Sequence, residues 1–212
     1  MKCIHIPLKF IFGMNCYLVQ TASGFYLIDT GVKKQRKQLE KTLSEAGCKP
    51  GDLKLIILTH GHIDHIGNAA YLRGKYGAKI AMHSGDVNMV TGGGMFADAP
   101  PNMMIKIVGF FMKLTGLSDF ETFTPDILLD DKQNLKEHGL DATILYTPGH
   151  SKGSISIQTA DGTLFCGDIF SGSMEDVTTL VDDQTNLIKS VKQLNALDIE
   201  SVYPGHGNPF HR

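Results

Sequence analysis

Cysteine is scarce in this chain. Four stand in 212 residues, at positions 3, 16, 48 and 166, and none are close enough to form a CxxC pair. That spacing excludes a disulfide framework and predicts reduced, mostly buried thiols in a cytoplasmic protein. Long apolar runs are missing too. No stretch of roughly 18 apolar residues occurs, so no segment is expected to span a bilayer. The opening MKCIHIPLKFIFGMNCYLV has neither a continuous apolar centre nor a small-residue cleavage site, and no signal peptide is expected. Neither sign of charge is in surplus: 20 Lys and Arg face 22 Asp and Glu. Net charge therefore supplies no general attraction to nucleic acid or to an acidic membrane, though a local patch stays open.

What remains is ordinary globular material, 42% hydrophobic and 20% charged, which argues against disorder. Cys16–Val19 and Phe25–Ile28 read as strands split by the turn Ala22-Ser23-Gly24. Residues 33–46 read as a helix, with Leu39 and Leu43 one turn apart and Gly47 as its stop. Leu53–Leu58 is a buried strand, a helix follows at about 66–76, and Lys79–Met82 is another strand. The second half returns to strands at Ile127–Leu129, Ala142–Tyr146, Ser154–Gln158 and Thr163–Cys166. The last two flank the hairpin signal Asp161-Gly162. A helix at about 184–196 and a strand at Ser201–Tyr203 close the pattern. No repeat or linker is visible, so 1–212 reads as one domain, with an insertion at about 84–131. Within it, Met103–Leu117 has an apolar face crossed by a thin stripe of Lys106, Gly109, Lys113 and Gly116. Such a helix suits core or subunit packing, and so a homodimer. A lid over a substrate site and shallow membrane contact are the other readings.

Nine histidines are the unusual count, and their placement carries the chemistry. His60, His62, Asp64 and His65 lie within six residues, directly after a strand. HxHxDH arises by chance in roughly one chain in a thousand of this composition. In an extended segment, residues i and i+2 point the same way, so His60 and His62 can grip one ion. Asp64 and His65 sit where the chain turns into a helix and can aim at a neighbouring ion. Three further strand ends carry a glycine-marked turn with a metal-binding residue type: Thr147-Pro148-Gly149-His150, Cys166-Gly167-Asp168 and Tyr203-Pro204-Gly205-His206-Gly207. Together they offer His60, His62, Asp64, His65, His150, Asp168 and His206, enough for two divalent ions. Imidazole and carboxylate suit zinc, and also iron or manganese.

With these residues in view, the chain resembles the metallo-β-lactamase superfamily of hydrolases, from Asp29-Thr30-Gly31 to Gly207. THGHIDHIG carries the resemblance, and TPGHSKGSISI and FCGDIF look most like the glyoxalase II branch. The resemblance implies an α/β fold, the αββα four-layer sandwich of two mixed β-sheets with helices outside and the site at one edge. It implies that His60, His62 and His150 hold one metal, that Asp64, His65 and His206 hold the second, and that Asp168 bridges them. A hydroxide held between two such ions near neutral pH would attack an ester, thioester or lactone, with Asp64 the candidate catalytic side chain beside it. Asp29 and Thr59 are candidates either to orient ligands or merely to close strand ends. His5, His83, His138 and His211 match no motif and read as surface or core residues; Cys166 reads as packing.

The chain ends soon after His206, where glyoxalase II proper carries a further helical region, so glutathione-thioester specificity is not implied. Two alternatives share the ligand set. One is an iron oxidoreductase like the family's persulfide dioxygenases, which leave the positions of Asp64 and His65 without metal. The other is a phosphodiesterase or nuclease, disfavoured by the balanced charge.

Overall fold

Alternation along the strands decides the layering. Leu18, Leu27 and Ile56 are fully buried on one side with Leu39, Leu43, Leu72 and Tyr76, whereas Tyr17, Val19, Tyr26, Ile28, Leu55 and Ile57 are buried on the other with Ile144, Ile155, Ile157 and Phe165. Successive side chains of a strand point to opposite faces, so each strand covers two cores. The structure is a computed structural model that describes residues 1–9, 13–94, 114, 116 and 119–212.

Six strands make the first sheet: β1 (Lys2–Leu8), β2 (Met14–Thr21), β3 (Gly24–Ile28), β4 (Leu53–Ile57), β5 (Lys79–His83) and β6 (Ile127–Leu129), adjacent in that order. The pairs β1–β2 and β2–β3 are antiparallel and the rest parallel. Five make the second: β7 (Ala142–Tyr146), β8 (Ile155–Thr159), β9 (Thr163–Gly167), β10 (Ser201–Pro204) and β11 (Phe210–His211). There only β9 and β10 are parallel. Helices α1 (Arg36–Glu45) and α3 (Ala69–Tyr76) cover the outer face of the first sheet through Leu39, Leu43 and Leu72. Helix α4 (Gln184–Asn195) covers the second through Leu187 and Leu194, against Leu164, Cys166 and Val202. The result is the expected order of helix, sheet, sheet, helix.

Two expected helices differ in detail. The one expected at 66–76 is two pieces, α2 (Ile63–Ile66) and α3. Asn68 interrupts them: its side-chain amide donates to the carbonyls of Thr30 at 2.7 Å and Val32 at 2.9 Å, and its backbone N–H to Thr30 Oγ1 at 3.2 Å. These bonds turn the chain toward the loop after β3 and break the helical ladder. The helix expected at 33–46 opens with a tight 3-10 turn, Lys33–Gln35, closed by the Gln35 side chain accepting the Val32 N–H at 3.1 Å. The strand expected from Ser154 starts at Ile155, because the Ser154 hydroxyl closes the preceding turn by accepting the Ser151 N–H at 3.0 Å. The segment at 103–117 and any dimer face it offers lie almost wholly outside the described residues. The described ends of the 84–131 segment belong to the body of the fold: Asp86, Met89, Val90 and Phe123 are buried, and β6 completes the first sheet.

No described helix is long and apolar enough to cross a membrane. All four cysteines are unpaired thiols, three of them buried.

Candidate metal centre

The loops after β3, β4, β7, β9 and β10 meet at one edge between the sheets. Ile155 N–H donates to Thr59 O at 2.9 Å across the gap, and Asn15 N–H donates to Gly205 O at 2.7 Å. The chain leaves β4 through Thr59 and His60, stays extended at His62 (φ −71°, ψ 148°), and enters α2 at Ile63. The extended segment brings the rings of His60 and His62 to 4.6 Å, and the following helical turn carries Asp64 and His65.

All seven expected residues come together here, in two groups joined by one carboxylate. In the first, His150 Nε2 lies 3.2 Å from His60 Nε2 and 3.0 Å from His62 Nδ1. In the second, Asp64 Oδ2 lies 3.2 Å from His206 Nε2 and 3.8 Å from His65 Nε2. Asp168 stands between them. Its Oδ2 is 3.4 Å from both His150 Nε2 and His206 Nε2 and 3.9 Å from His60 Nε2, and its Oδ1 is 3.3 Å from His65 Nε2. Each group gathers its ligand atoms within 4.8 Å of one another.

Hydrogen bonds behind the rings fix which nitrogen is bare. The Nδ1–H of His150 donates to Leu180 O at 2.7 Å, and that of His206 to Gly13 O at 2.6 Å. His65 Nδ1–H donates to Asp29 Oδ2 at 2.8 Å. The Thr59 hydroxyl gives its proton to the same Oδ2, also at 2.8 Å, so it can only accept from His60 Nδ1–H, at 3.0 Å. Each ring therefore turns Nε2 inward, where it can take a metal ion or a second proton, the arrangement by which proteins orient metal-binding imidazoles. Asp29 and Thr59 thus orient ligands, and Asp29 also takes the left-handed conformation of a strand-end turn, at φ 57°.

These residues suit cations. Lone pairs of His60, His62 and His150 face one another with no proton between them, and the buried His65 Nε2 and Asp168 Oδ1 have no hydrogen-bond partner. Buried polar atoms so placed are costly unless a positive charge, a proton or a metal ion, is shared among them. Protonation follows the same balance. Burial drives His60 far below the usual histidine range and His62 down to about 4, leaving both neutral. Burial also pulls His65 and His206 down, but neighbouring carboxylates outweigh it. Asp168, Asp29 and Asp64 hold His65 well above its ordinary value, and Asp168 and Asp64 lift His206 to about 10. Burial raises Asp168 and Asp64, yet their imidazole neighbours, His65 foremost, hold both below the ordinary carboxylate range. A proton and a metal ion compete for the same imidazole lone pair.

Two residues escaped the sequence reading. Asp86, fully buried just past β5, accepts from Gly61 N–H at 2.8 Å, Ser151 Oγ–H at 2.7 Å and Gly153 N–H at 2.6 Å. Asn15 on β2 donates to Pro204 O at 3.0 Å and Gly207 O at 2.7 Å, bracing the His206 loop, while His5 Nε2–H donates to its Oδ1 at 2.7 Å. Neither lies in a motif, so no local signal marks it. His83 stacks on Tyr146 at 4.2 Å, and His138 and His211 make their contacts away from both groups.

The chain belongs to the metallo-beta-lactamase superfamily, whose model matches residues 12–206. That family is one of metal-dependent hydrolases. The "Probable metallo-hydrolase YflN" of Bacillus subtilis is 31% identical over 92% of this chain and 81% of its own length. The "Hydroxyacylglutathione hydrolase GloC" of Haemophilus influenzae is 29% identical over 93% of this chain and 87% of its own. The "Beta-lactamase-like protein 2 homolog" of Drosophila melanogaster is 27% identical over 92% of this chain, which spans 59% of that protein's length. Among solved structures, TTHA1623 in a di-iron-bound form is 28% identical and superposes with a TM-score of 0.75, over 98% of this chain and 94% of that one.

Proposed function

We propose that this chain is a dinuclear metal hydrolase acting on a small ester, thioester or lactone. His60, His62 and His150 would hold one ion and Asp64, His65 and His206 the other, with Asp168 shared. The carrying observation is the position of Asp168, whose two oxygens reach imidazoles of both groups. A shared carboxylate between two complete groups favours a pair of ions over one, and hydrolysis over the mononuclear iron alternative. When bound, divalent cations polarise a carbonyl and lower the pKa of water to about 7.

The chain's own residues supply the rest. Asp29, Thr59, Leu180 and Gly13 keep the four Nε2 lone pairs aimed inward, so no reorganisation is needed when substrate arrives. Asp64 is the more open of the two inner carboxylates, 34% exposed against 10% for Asp168. Held in its ionised form, it is the group able to accept a proton at Oδ from entering water. The likeness to a hydroxyacylglutathione hydrolase supports a thioester within the substrate class. The di-iron form of the structural relative supports iron beside zinc as the resident metal. The reading takes 1–212 as one domain, placed in the cytoplasm, where reduced thiols persist.

Metal analysis of protein purified without added ions tests the reading, together with a panel of thioesters, lactones and bis(p-nitrophenyl) phosphate. About two ions per chain and metal-dependent turnover of a carbonyl substrate are expected. Replacing Asp168 by Ala should abolish that turnover, whereas replacing His83 should leave most of it. One tightly held iron, with oxygen consumed on glutathione persulfide, would instead establish the oxidoreductase.

A further inference from the structure

Within the proposed metal pair, the three imidazoles of the first group come from both sheets: His60 and His62 follow β4, and His150 follows β7. Their nitrogens must converge across the gap between two layers. The hydrogen bonds behind the individual rings do not set that separation. His60 is tied to Thr59 on its own loop, and His150 to Leu180 on a third segment.

Asp86 spans it with its side chain, beside the backbone bond from Ile155 N–H to Thr59 O. It comes from neither ligand loop but from the turn Ser84–Asp86 after β5, and it is fully buried. Its Oδ2 accepts the backbone N–H of Gly61, the residue between His60 and His62. The same oxygen accepts the hydroxyl of Ser151, the residue after His150, and Oδ1 accepts the Gly153 N–H two positions further on. One carboxylate therefore holds three donors, one from the first sheet's ligand loop and two from the second's. The packing is as close as the bonding: a Cβ on Gly153 would lie 2.6 Å from Asp86 Cγ, so the loop can approach only without a side chain there.

We infer that Asp86 is a positioning residue for the first metal site, a strut that sets the distance between the His60–His62 loop and the His150 loop. It touches none of the ligand nitrogens and acts only through backbone and Ser151. The second group, Asp64, His65 and His206, is braced by Asp29, Gly13 and Asn15 and stands apart from it. This inference rests on the two-ion reading. It adds that the first ion has a brace that the second does not share, beside Asp29, which orients a ligand in each group.

Asp86→Asn keeps the shape but places an amide N–H opposite a donor. Zinc titration of the metal-free chain, followed by calorimetry and metal analysis, should show one of two equivalents weakened by on the order of tenfold or more. The other equivalent should be unchanged. The weakened equivalent should be the one removed by His150→Ala. The pair Asp86→Asn with His150→Ala then keeps one equivalent, and Asp86→Asn with His206→Ala keeps only the weakened one. A merely structural residue would lower the melting temperature of the metal-free chain while leaving both affinities intact, and that result overturns the inference. If Asp86→Asn does not fold, Ser151→Ala removes one of the three donors and should weaken the same equivalent by a few fold; unchanged affinity there also overturns it. Failure of the wild-type chain to bind two ions would instead sink the two-ion reading itself.

Discussion

Asp29 Oδ2 accepts the Nδ1–H of His65 at 2.8 Å, and by that bond decides which face of the imidazole is bare. The same oxygen fixes Thr59 and through it His60, so one carboxylate at the end of β3 orients a ligand in each group. Asp29→Asn is an isosteric test. Asparagine tolerates the left-handed backbone at φ 57°, so the fold should survive. An amide cannot accept at both positions, and keeping its oxygen on the Thr59 N–H at the Oδ1 position turns its NH2 toward His65 Nδ1. His65 would then carry its proton on Nε2, pointing into the cluster. The expected result is a loss of about 10- to 100-fold in affinity for the ion of the second group. Competition with a chelator of known affinity measures it, and unaltered affinity would show that Asp29 does not select the tautomer.

Gly205 offers a test of how tightly the ligand loops pack. A Cβ there would collide with Asp168 Oδ1 and lie 2.8 Å from His65 Cε1. Gly205→Ala should therefore push a methyl group into the junction of the two groups while leaving the cores untouched. Far-ultraviolet circular dichroism is expected to stay the same while metal content falls well below the wild-type value. A variant that folds and loads metal normally would contradict the close approach of the β9 and β10 loops.

The ligand positions were legible because they are local. HxHxDH declares itself within six residues, and each other ligand sits beside a glycine just past a strand. The strands were legible because alternation is strict where two cores are served, as at Tyr17-Leu18-Val19. Asp86 and Asn15 were hidden for the opposite reason. Their partners lie far along the chain, at Ser151 and Gly207, and a single Asp or Asn carries no spacing to read. The break between α2 and α3 was hidden likewise, since Asn68 acts through carbonyls of the β3–α1 loop.

The thiols should be inert in the folded chain. Burial, aided by nearby carboxylates, pushes Cys3 up to about 12 and Cys48 to about 11. Burial also raises Cys166 to about 12, and Cys16 is raised too. At about pH 8 the thiolate fraction of Cys3 is on the order of one in ten thousand, and the thiolate is the reactive form. Ellman's reagent should titrate almost no thiol on the native chain within minutes and all four after unfolding in guanidinium. Rapid reaction of Cys166 in the native chain would mark it as an accessible nucleophile beside Asp168 rather than a packing residue.

Metal uptake should expel protons, and the sign follows from His206. In the metal-free chain, Asp168 and Asp64 overcome the opposing effect of burial and raise it to about 10 from an ordinary 6.5. Its protonated form then stabilises the metal-free fold fully below about pH 6.5, and that contribution fades as pH rises through about 10. His65 is raised in the same direction. A cation taking both Nε2 lone pairs must displace both protons, so affinity should climb with pH across the neutral range. Calorimetric titration at about pH 7.5 in two buffers of different ionisation enthalpy should report release of about two protons per chain from these imidazoles, and up to about one more from metal-bound water. The metal-free chain should also lose melting temperature from about pH 6.5 upward, a slope that the loaded chain does not share. Uptake with no proton release would mean that these imidazoles are already neutral, and that the carboxylates do not hold the charge assigned to them.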